Sequence, residues 1–306
     1  MNASIQAPGN VRFPWPAVPG SSDAPVWNGA EFVVGATKTS ILSYETGASG
    51  WTDDLTAFHE DNAGSDHVMD RSSRRHAMEQ LQRHLKPAPK DAVVLEVGCS
   101  SGFMLQTIRE NMPDCFLIGA DYVLGPLKHL AQHRKDVPLM QFDMTKCPLP
   151  DQCVDAVLLI NVLEHIKEDA EAMRQVARIL RPGGIAVIEV PAGAHLYDVY
   201  DKQLMHFRRY SMRALKQIVE PNNLKVLETS HLGFSIYAPF YYTKKKNQKH
   251  LNLSDAEQQK IVSENIRASK SNFILNTLMG IEMGIGRFIN YPCGIRCLLT
   301  CQKPAA

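Results

Sequence analysis

Four apolar runs in this 306-residue chain end on, or just before, a residue that accepts hydrogen bonds. Val93-Val94-Leu95 is followed by Glu96, Cys115 to Ala120 by Asp121, Leu139 to Phe142 by Asp143, and Val154 to Ile160 by Asn161. Carboxylates and an amide carbonyl gathered at one edge suit a ligand that carries hydroxyl and amino donors. Around the first lies Glu96-x-Gly98-x-Ser100-x-Gly102. Glycines in such a loop let the backbone turn sharply and let a ligand approach where a Cβ would collide. A second set can move protons or hold anions. His59, His67, His165 and His206 are candidate bases, with His165 and His206 nearest the expected ligand edge. Arg208, Arg209 and Tyr210 follow the fifth apolar run and can grip an anionic group, or else pair with surface carboxylates.

The elements that position these residues are strands alternating with helices. Each apolar run reads as a strand buried on both faces. Helices are expected after the glycine loop, from about Pro126 to Arg134, and from about Ile166 to Leu180, where Arg181-Pro182-Gly183-Gly184 ends the last of them. This alternation argues a parallel, doubly wound sheet with the ligand at the strands' carboxyl ends. Ile185 to Val190, Leu224 to Thr229 and Ile295 to Thr300 complete the strands. Ser211 is placed to cap a helix running to Val219. Residues 1–50 read as an irregular extension carrying a short strand at Phe32-Val33-Val34, and 51–86 as a helical cover. Residues 87–306 read as the main domain. A helical cap over about 233–291 carries the aromatic cluster Phe234, Tyr237, Phe240, Tyr241 and Tyr242. Tyr237 is a candidate contact for a substrate, and the cap's apolar surface suits an acceptor with a hydrophobic or aromatic part.

The glycine loop resembles motif I of the class I S-adenosylmethionine-dependent methyltransferases, with Ser100 at the middle glycine. The resemblance runs from about Ala92 to Val190, through Gly-Ala-Asp121, Phe-Asp143-Met144, Asn161-Val-Leu-Glu-His165 and Leu-Arg-Pro-Gly-Gly. It implies a Rossmann-like, doubly wound, mostly parallel seven-stranded sheet and a cofactor, S-adenosyl-L-methionine. It also implies that Gly98 and Gly102 approach the methionine part and that Asp121 binds the ribose, with Glu96 and Ser100 in the same cofactor site and Tyr122 a candidate wall for the adenine ring. Asp143 with Met144 would hold the adenine, and Asn161 would line the pocket below the sulfonium. Arg74 is a further candidate to meet the cofactor carboxylate, and the helix around 70–85 would cover the pocket. The expected reaction is methyl transfer to an oxygen or nitrogen of a small molecule. A nicotinamide-dependent oxidoreductase shares the strand, glycine loop and ribose acid, although its Gly-x-Gly-x-x-Gly register is missing. A non-catalytic cofactor-binding module is the third reading.

Composition narrows the partners. A net charge of +1 leaves no electrostatic footprint for nucleic acid, and Lys244-Lys245-Lys246 reads as a solvated loop. Seven cysteines at irregular spacings suit reduced thiols in a cytoplasmic protein. Cys293, Cys297 and Cys301 lack a nearby histidine to complete a zinc set, so no metal site is expected from them. No secretory leader is expected in the first thirty residues. Phe273 to Ile289 is interrupted by Asn276, Thr277, Glu282 and Arg287, and so is not expected to span a bilayer. Self-association into a homodimer stays open.

Overall fold

The computed structural model describes residues 13–44, 67–85, 92–268 and 273–305. Trp51, Leu55, Phe58 and the candidate base His59 lie outside them. The sheet grows from the apolar runs. β5 (Val93–Val97), β6 (Phe116–Asp121), β7 (Leu139–Gln141), β8 (Val154–Ile160) and β9 (Leu180–Pro191) pair in parallel. β10 (Lys225–Leu232) and β11 (Arg296–Gln302) join antiparallel, β11 against β9 and β10 against β11. Alternate side chains enter opposite cores: Val93, Leu95 and Val97 pack on one face of the sheet, Val94 on the other. That is the two-residue period of a strand covered on both sides.

The sheet differs from the expectation in having eight strands. Residues 32–43 supply β2 (Phe32–Val34), β3 (Thr37–Thr39) and β4 (Ile41–Ser43), and β4 pairs in parallel with β7. β2 and β3 form a separate small sheet with β1 (Val26–Trp27). The extension is therefore not uniformly irregular. β7 would otherwise be an edge with unpaired backbone groups, and three residues of β4 cover it. Phe13, Trp15 and Phe32 anchor this extension against Phe116, with Trp15 and Phe32 meeting edge-to-face at 4.8 Å.

Helices cover both faces. α1 (Val68–His84), α2 (Phe103–Asn111) and α3 (Leu124–His133) pack on one, through Leu81, Leu105, Ile108 and Leu127. α4 (Asp169–Ile179) and α6 (Met212–Val219) pack on the other through Met173, Val176 and Leu215. In α4 the apolar residues recur at Ala172, Met173, Val176 and Ile179, with Asp169 and Glu171 in the first turn and Arg178 in the last. Both features favour a helix, by burying one stripe and by complementing the helix dipole. Ser211 caps α6, its hydroxyl accepting from the Ala214 N–H at 3.1 Å.

The strand order is β10-β11-β9-β8-β5-β6-β7-β4. β5 thus sits between β6 and β8, and the chain winds outward from it in two directions. A crevice opens at the carboxyl ends of strands where winding reverses. α5 (Val199–Gln203) follows β9, and α7 (Tyr237–Gln248), α8 (Asp255–Ala268) and α9 (Phe273–Ile285) lie between β10 and β11, above that edge. Among the described residues no helix is long and apolar enough to cross a membrane.

One buried carboxylate ties α9 to the end of β10. Glu282 accepts from the N–H groups of Gly233 (2.7 Å), Phe234 (3.0 Å) and Ser235 (2.8 Å), and from the Ser235 hydroxyl (2.6 Å). Replacing it orphans three backbone donors at once. Glu282→Ala is expected to lower unfolding stability by about 3 kcal/mol, read as a shift in urea midpoint, with Glu282→Gln costing less because it keeps an acceptor.

Candidate functional site

One cavity of about 1060 Å³ occupies the carboxyl edge under the cap. Of the cofactor candidates, Gly98, Ser100, Asp121, Tyr122, Asp143, Met144 and Asn161 line it, while Glu96 and Gly102 do not.

The glycine loop is shaped by positions that need unusual backbone. Gly98 has φ +75°, and a Cβ there would meet Val162 Cγ2 at 2.6 Å. Gly102 has φ +78° at the start of α2, with Leu130 Cδ1 2.6 Å from where a Cβ would sit. Gly102 therefore serves the turn and its packing rather than the cavity wall. Ser100 takes φ +41°, a left-handed conformation in which a non-glycine residue is strained.

Asp121 organises the loop from the neighbouring strand. Its Oδ2 accepts from the Ser100 N–H and its Oδ1 from the Val123 N–H, each at 2.9 Å. Glu96 lies behind the loop with its Oε2 unpartnered. Burial, and then the nearby Asp121 charge, push its carboxyl well above the ordinary range. Asp143 turns the chain into a short 3-10 segment, its Oδ1 accepting from both N–H and hydroxyl of Thr145 at 2.8 Å. Asn161 adopts φ +55° at the end of β8, and its N–H is held by the Glu189 carbonyl at 2.9 Å. Arg74 does not line the cavity; its guanidinium lies over the Phe103 ring, 5.6 Å from the centroid.

His165 and His206 both line the cavity, with ring centroids 4.7 Å apart and planes at 80°. His206 is fixed through Nδ1, 2.9 Å from Asp201 Oδ1. Burial drives its imidazole below the ordinary histidine value, although Asp201 opposes that. His67, the other described candidate base, lines the cavity from the start of α1.

Of the expected substrate residues, Arg209 reaches the cavity, and Arg208, Tyr210 and Tyr237 do not. Arg208 donates to the Lys167 carbonyl at 2.6 Å and pairs with Asp169 at 2.5 Å. Tyr210 is buried, its hydroxyl donating to Asp169 Oδ2 at 2.6 Å and lying 3.1 Å from the Leu163 carbonyl oxygen. Neither lines the cavity. Both instead fasten residues 206–210 to residues 163–169, as does the Phe207 N–H bond to the Glu164 carbonyl at 2.8 Å. Arg209 reaches the cavity wall while bonded to Asp201 (2.9 Å) and to the Ala192 carbonyl (2.8 Å). Tyr237 is outside the lining, and its helical neighbours Phe240 and Lys244 are inside it.

Lys244 corrects the solvated-loop expectation. It is buried on α7, with Nζ 2.7 Å from Asp198 and 2.9 Å from Asp201. Asp198 and Asp201 form the capping box of α5 and are wholly buried, so two carboxylates there require counter-charge. Arg209 and Lys244 provide it. Glu164 and Glu189, both buried, and the half-buried Arg296 are further charged residues that the strand-end pattern did not single out. Arg296 joins Glu189 (2.7 Å) to Asp70 of α1 (2.8 Å). Glu164 had one visible signal, an acid beside His165 after an apolar run. Cys297 and Cys301 are buried thiols pushed up to about 12 by burial.

Residues 95–188 match the family model described as a methyltransferase domain. An S-adenosylmethionine-dependent methyltransferase of Mycolicibacterium smegmatis is 28% identical over 158 residues, covering 51% of this chain and 60% of its own length. A demethylmenaquinone methyltransferase of Mycolicibacterium paratuberculosis is 30% identical over 144 residues, covering 44% of this chain and 59% of its own. The chain thus spans about three-fifths of these curated relatives. Among solved structures, a SAM-dependent methyltransferase from Archaeoglobus fulgidus superposes with TM-score 0.50 at 18% identity, over 82% of this chain and all of the other. The Bacillus YcgJ protein gives TM-score 0.52 at 14% identity, over 77% of this chain and 99% of its own. These structures share the fold. Together with the glycine register, the sequence match sets the nicotinamide alternative aside. Residues 95–188 are thus similar to a methyltransferase domain, and the curated relatives that the chain resembles are S-adenosylmethionine-dependent methyltransferases.

Proposed function

We propose that this protein transfers a methyl group from S-adenosylmethionine to an oxygen or nitrogen of a small molecule with a hydrophobic or aromatic part. The observation that carries the reading is one cavity lined both by the glycine loop, Asp121 and Asp143 and by the cap residues Ile236, Phe240 and Leu275. Its volume, about 1060 Å³, is at the upper end of the range for one ligand, which leaves room for donor and acceptor together.

The residues present suit the cofactor. Gly98 opens a cradle that a side chain would fill. Asp121 stands at the cavity wall with the carboxylate acceptors that ribose hydroxyls require. Tyr122 and Met144 offer the flat and apolar walls an adenine needs, with Asp143 alongside. When bound, S-adenosylmethionine supplies a methyl group already activated by a sulfonium charge. The chain's own work is then to align the acceptor and keep water out. Phe142, Ile160, Val162, Phe207 and Phe240 give the cavity an apolar lining for that purpose. His165 and His206 line it side by side and are the groups placed to receive an acceptor proton. Relatives named demethylmenaquinone methyltransferase favour a quinone-like ring as the acceptor.

Two measurements check this reading. Calorimetry should show S-adenosylhomocysteine binding, weakened on the order of tenfold or more in Asp121→Ala, which loses both the ribose acceptor and the anchor of the loop. Folded protein that ignores S-adenosylhomocysteine sinks the proposal. With labelled cofactor and a panel of phenols and hydroquinones, Phe240→Ala should raise the acceptor KM several-fold and leave S-adenosylhomocysteine affinity unchanged; an effect on the cofactor alone would assign Phe240 to the wrong end.

A further inference from the structure

Glu164 is a buried charge without a partner. It has no solvent exposure, and neither carboxylate oxygen has a hydrogen-bond partner, yet it lines the cavity. A carboxyl group in that position costs several kcal/mol unless something compensates it. Among the described residues no cation is paired with it: Arg296 and Arg209, whose charges act on it from further off, are committed to Asp70, Glu189 and Asp201. What faces it is a pair of imidazoles. One ligating atom each from Glu164, His165 and His206 can be chosen so that all lie within 4.8 Å of one another. Two donors each about 2.0–2.4 Å from one ion cannot be more than about 4.8 Å apart, so the cluster is already of the size that one ion would span.

The support behind the histidine is that of a metal site. His206 Nδ1 is held by Asp201, which leaves Nε2 as the coordinating nitrogen and fixes the ring. A carboxylate behind a histidine is the arrangement that orients metal ligands. The backbone also brings the ligands together deliberately, since the Phe207 N–H binds the Glu164 carbonyl and the Tyr197 hydroxyl binds the His206 carbonyl, both at 2.8 Å.

We propose that Glu164, His165 and His206 bind one divalent first-row transition metal, and that the ion holds a hydroxyl of the acceptor next to the transferable methyl group. Two imidazoles and one carboxylate form the ligand set that suits Zn²⁺, Fe²⁺, Co²⁺ or Mn²⁺ and leaves positions open. This inference rests on the methyltransferase reading for the role of the ion, though not for its binding. One carboxylate against a divalent ion leaves a net positive site, which selects an acceptor that ionises to an oxyanion, such as a phenol or hydroquinone. The acceptor's O–H proton passes to water, its oxygen lone pair forms the new O–CH₃ bond, and the electrons of the breaking S–CH₃ bond return to sulfur. His165 and His206 are then ligands rather than free bases.

The test uses full-length protein freed of metal by a chelator and titrated with Co²⁺. One equivalent should bind with visible d–d absorption and be displaced by Zn²⁺. Glu164→Gln and His206→Gln should each weaken Co²⁺ on the order of tenfold or more. Glu164→Gln removes only an unpartnered charge, so its thermal midpoint without metal should not fall; this keeps a loss of binding from being a loss of fold. S-adenosylhomocysteine binding to the metal-free protein is measured alongside. Protein that binds S-adenosylhomocysteine but no Co²⁺, or Glu164→Gln protein that binds Co²⁺ as the parent does, overturns the metal site and leaves the cofactor reading standing. Co²⁺ binding without S-adenosylhomocysteine binding supports the metal and overturns the transferase.

Discussion

Asp201 is the interaction on which the acceptor side of this molecule depends. Its carboxylate, with no exposed surface, holds His206 and Arg209 through Oδ1, and Lys244 and the Asp198 N–H through Oδ2. Those partners come from the segment after β9 and from helix α7 of the cap. One buried anion therefore joins the cap to the sheet edge and aims a histidine at the cavity. Together Asp198, Asp201, Arg209 and Lys244 are formally neutral, which is the condition under which such a set can be buried at all. Removing one member would strand the others at about 3–5 kcal/mol.

The cofactor side is governed by a different constraint. Strands covered on both faces by α1 to α3 and by α4 and α6 are largely apolar until they end. The strand order places β5 between β6 and β8, so Gly98, Asp121, Asp143 and Asn161 emerge along one edge. There the carboxylates first satisfy the chain itself: Asp121 the Ser100 and Val123 amides, Asp143 the Thr145 amide and hydroxyl. A loop pinned in this way is already in the shape that a ligand would otherwise have to impose, and binding then costs less ordering.

A second set, the buried Glu189 and Ser73 with the half-buried Arg296 and Asp70, ties α1 to β9 and β11. α1 is thereby fixed along the sheet with His67, Met69 and Asp70 at the cavity wall. With Glu282 holding the end of β10, each covering element is attached by a carboxylate rather than by apolar packing alone. The apolar residues of α9 divide accordingly: Met279 and Met283 are buried, while Phe273, Ile274 and Ile281 remain exposed.

How much of this could be read in advance follows from the range of each interaction. The apolar runs, their polar ends, the glycine loop and the Ser211 cap are set by neighbours within a few residues. β8 from Val154 to Ile160 and the register of Asp121 and Asp143 were accordingly legible. β4 was not, because three residues with weak strand character become a strand only by completing β7. Arg208, Tyr210 and Lys244 were misplaced for the same reason. A charged or phenolic side chain is read as solvent- or ligand-facing until its partner is known, and Asp169, Asp198 and Asp201 lie some 30 to 50 positions away. Glu164 stood in view beside His165, but its isolation from every hydrogen-bond donor is a property of the packed interior. The sequence by itself determined the fold class and the cofactor edge, whose chemistry is carried by short-range pattern. Only the tertiary structure decided which charges are buried and what they face, since burial is the joint result of segments that meet nowhere else.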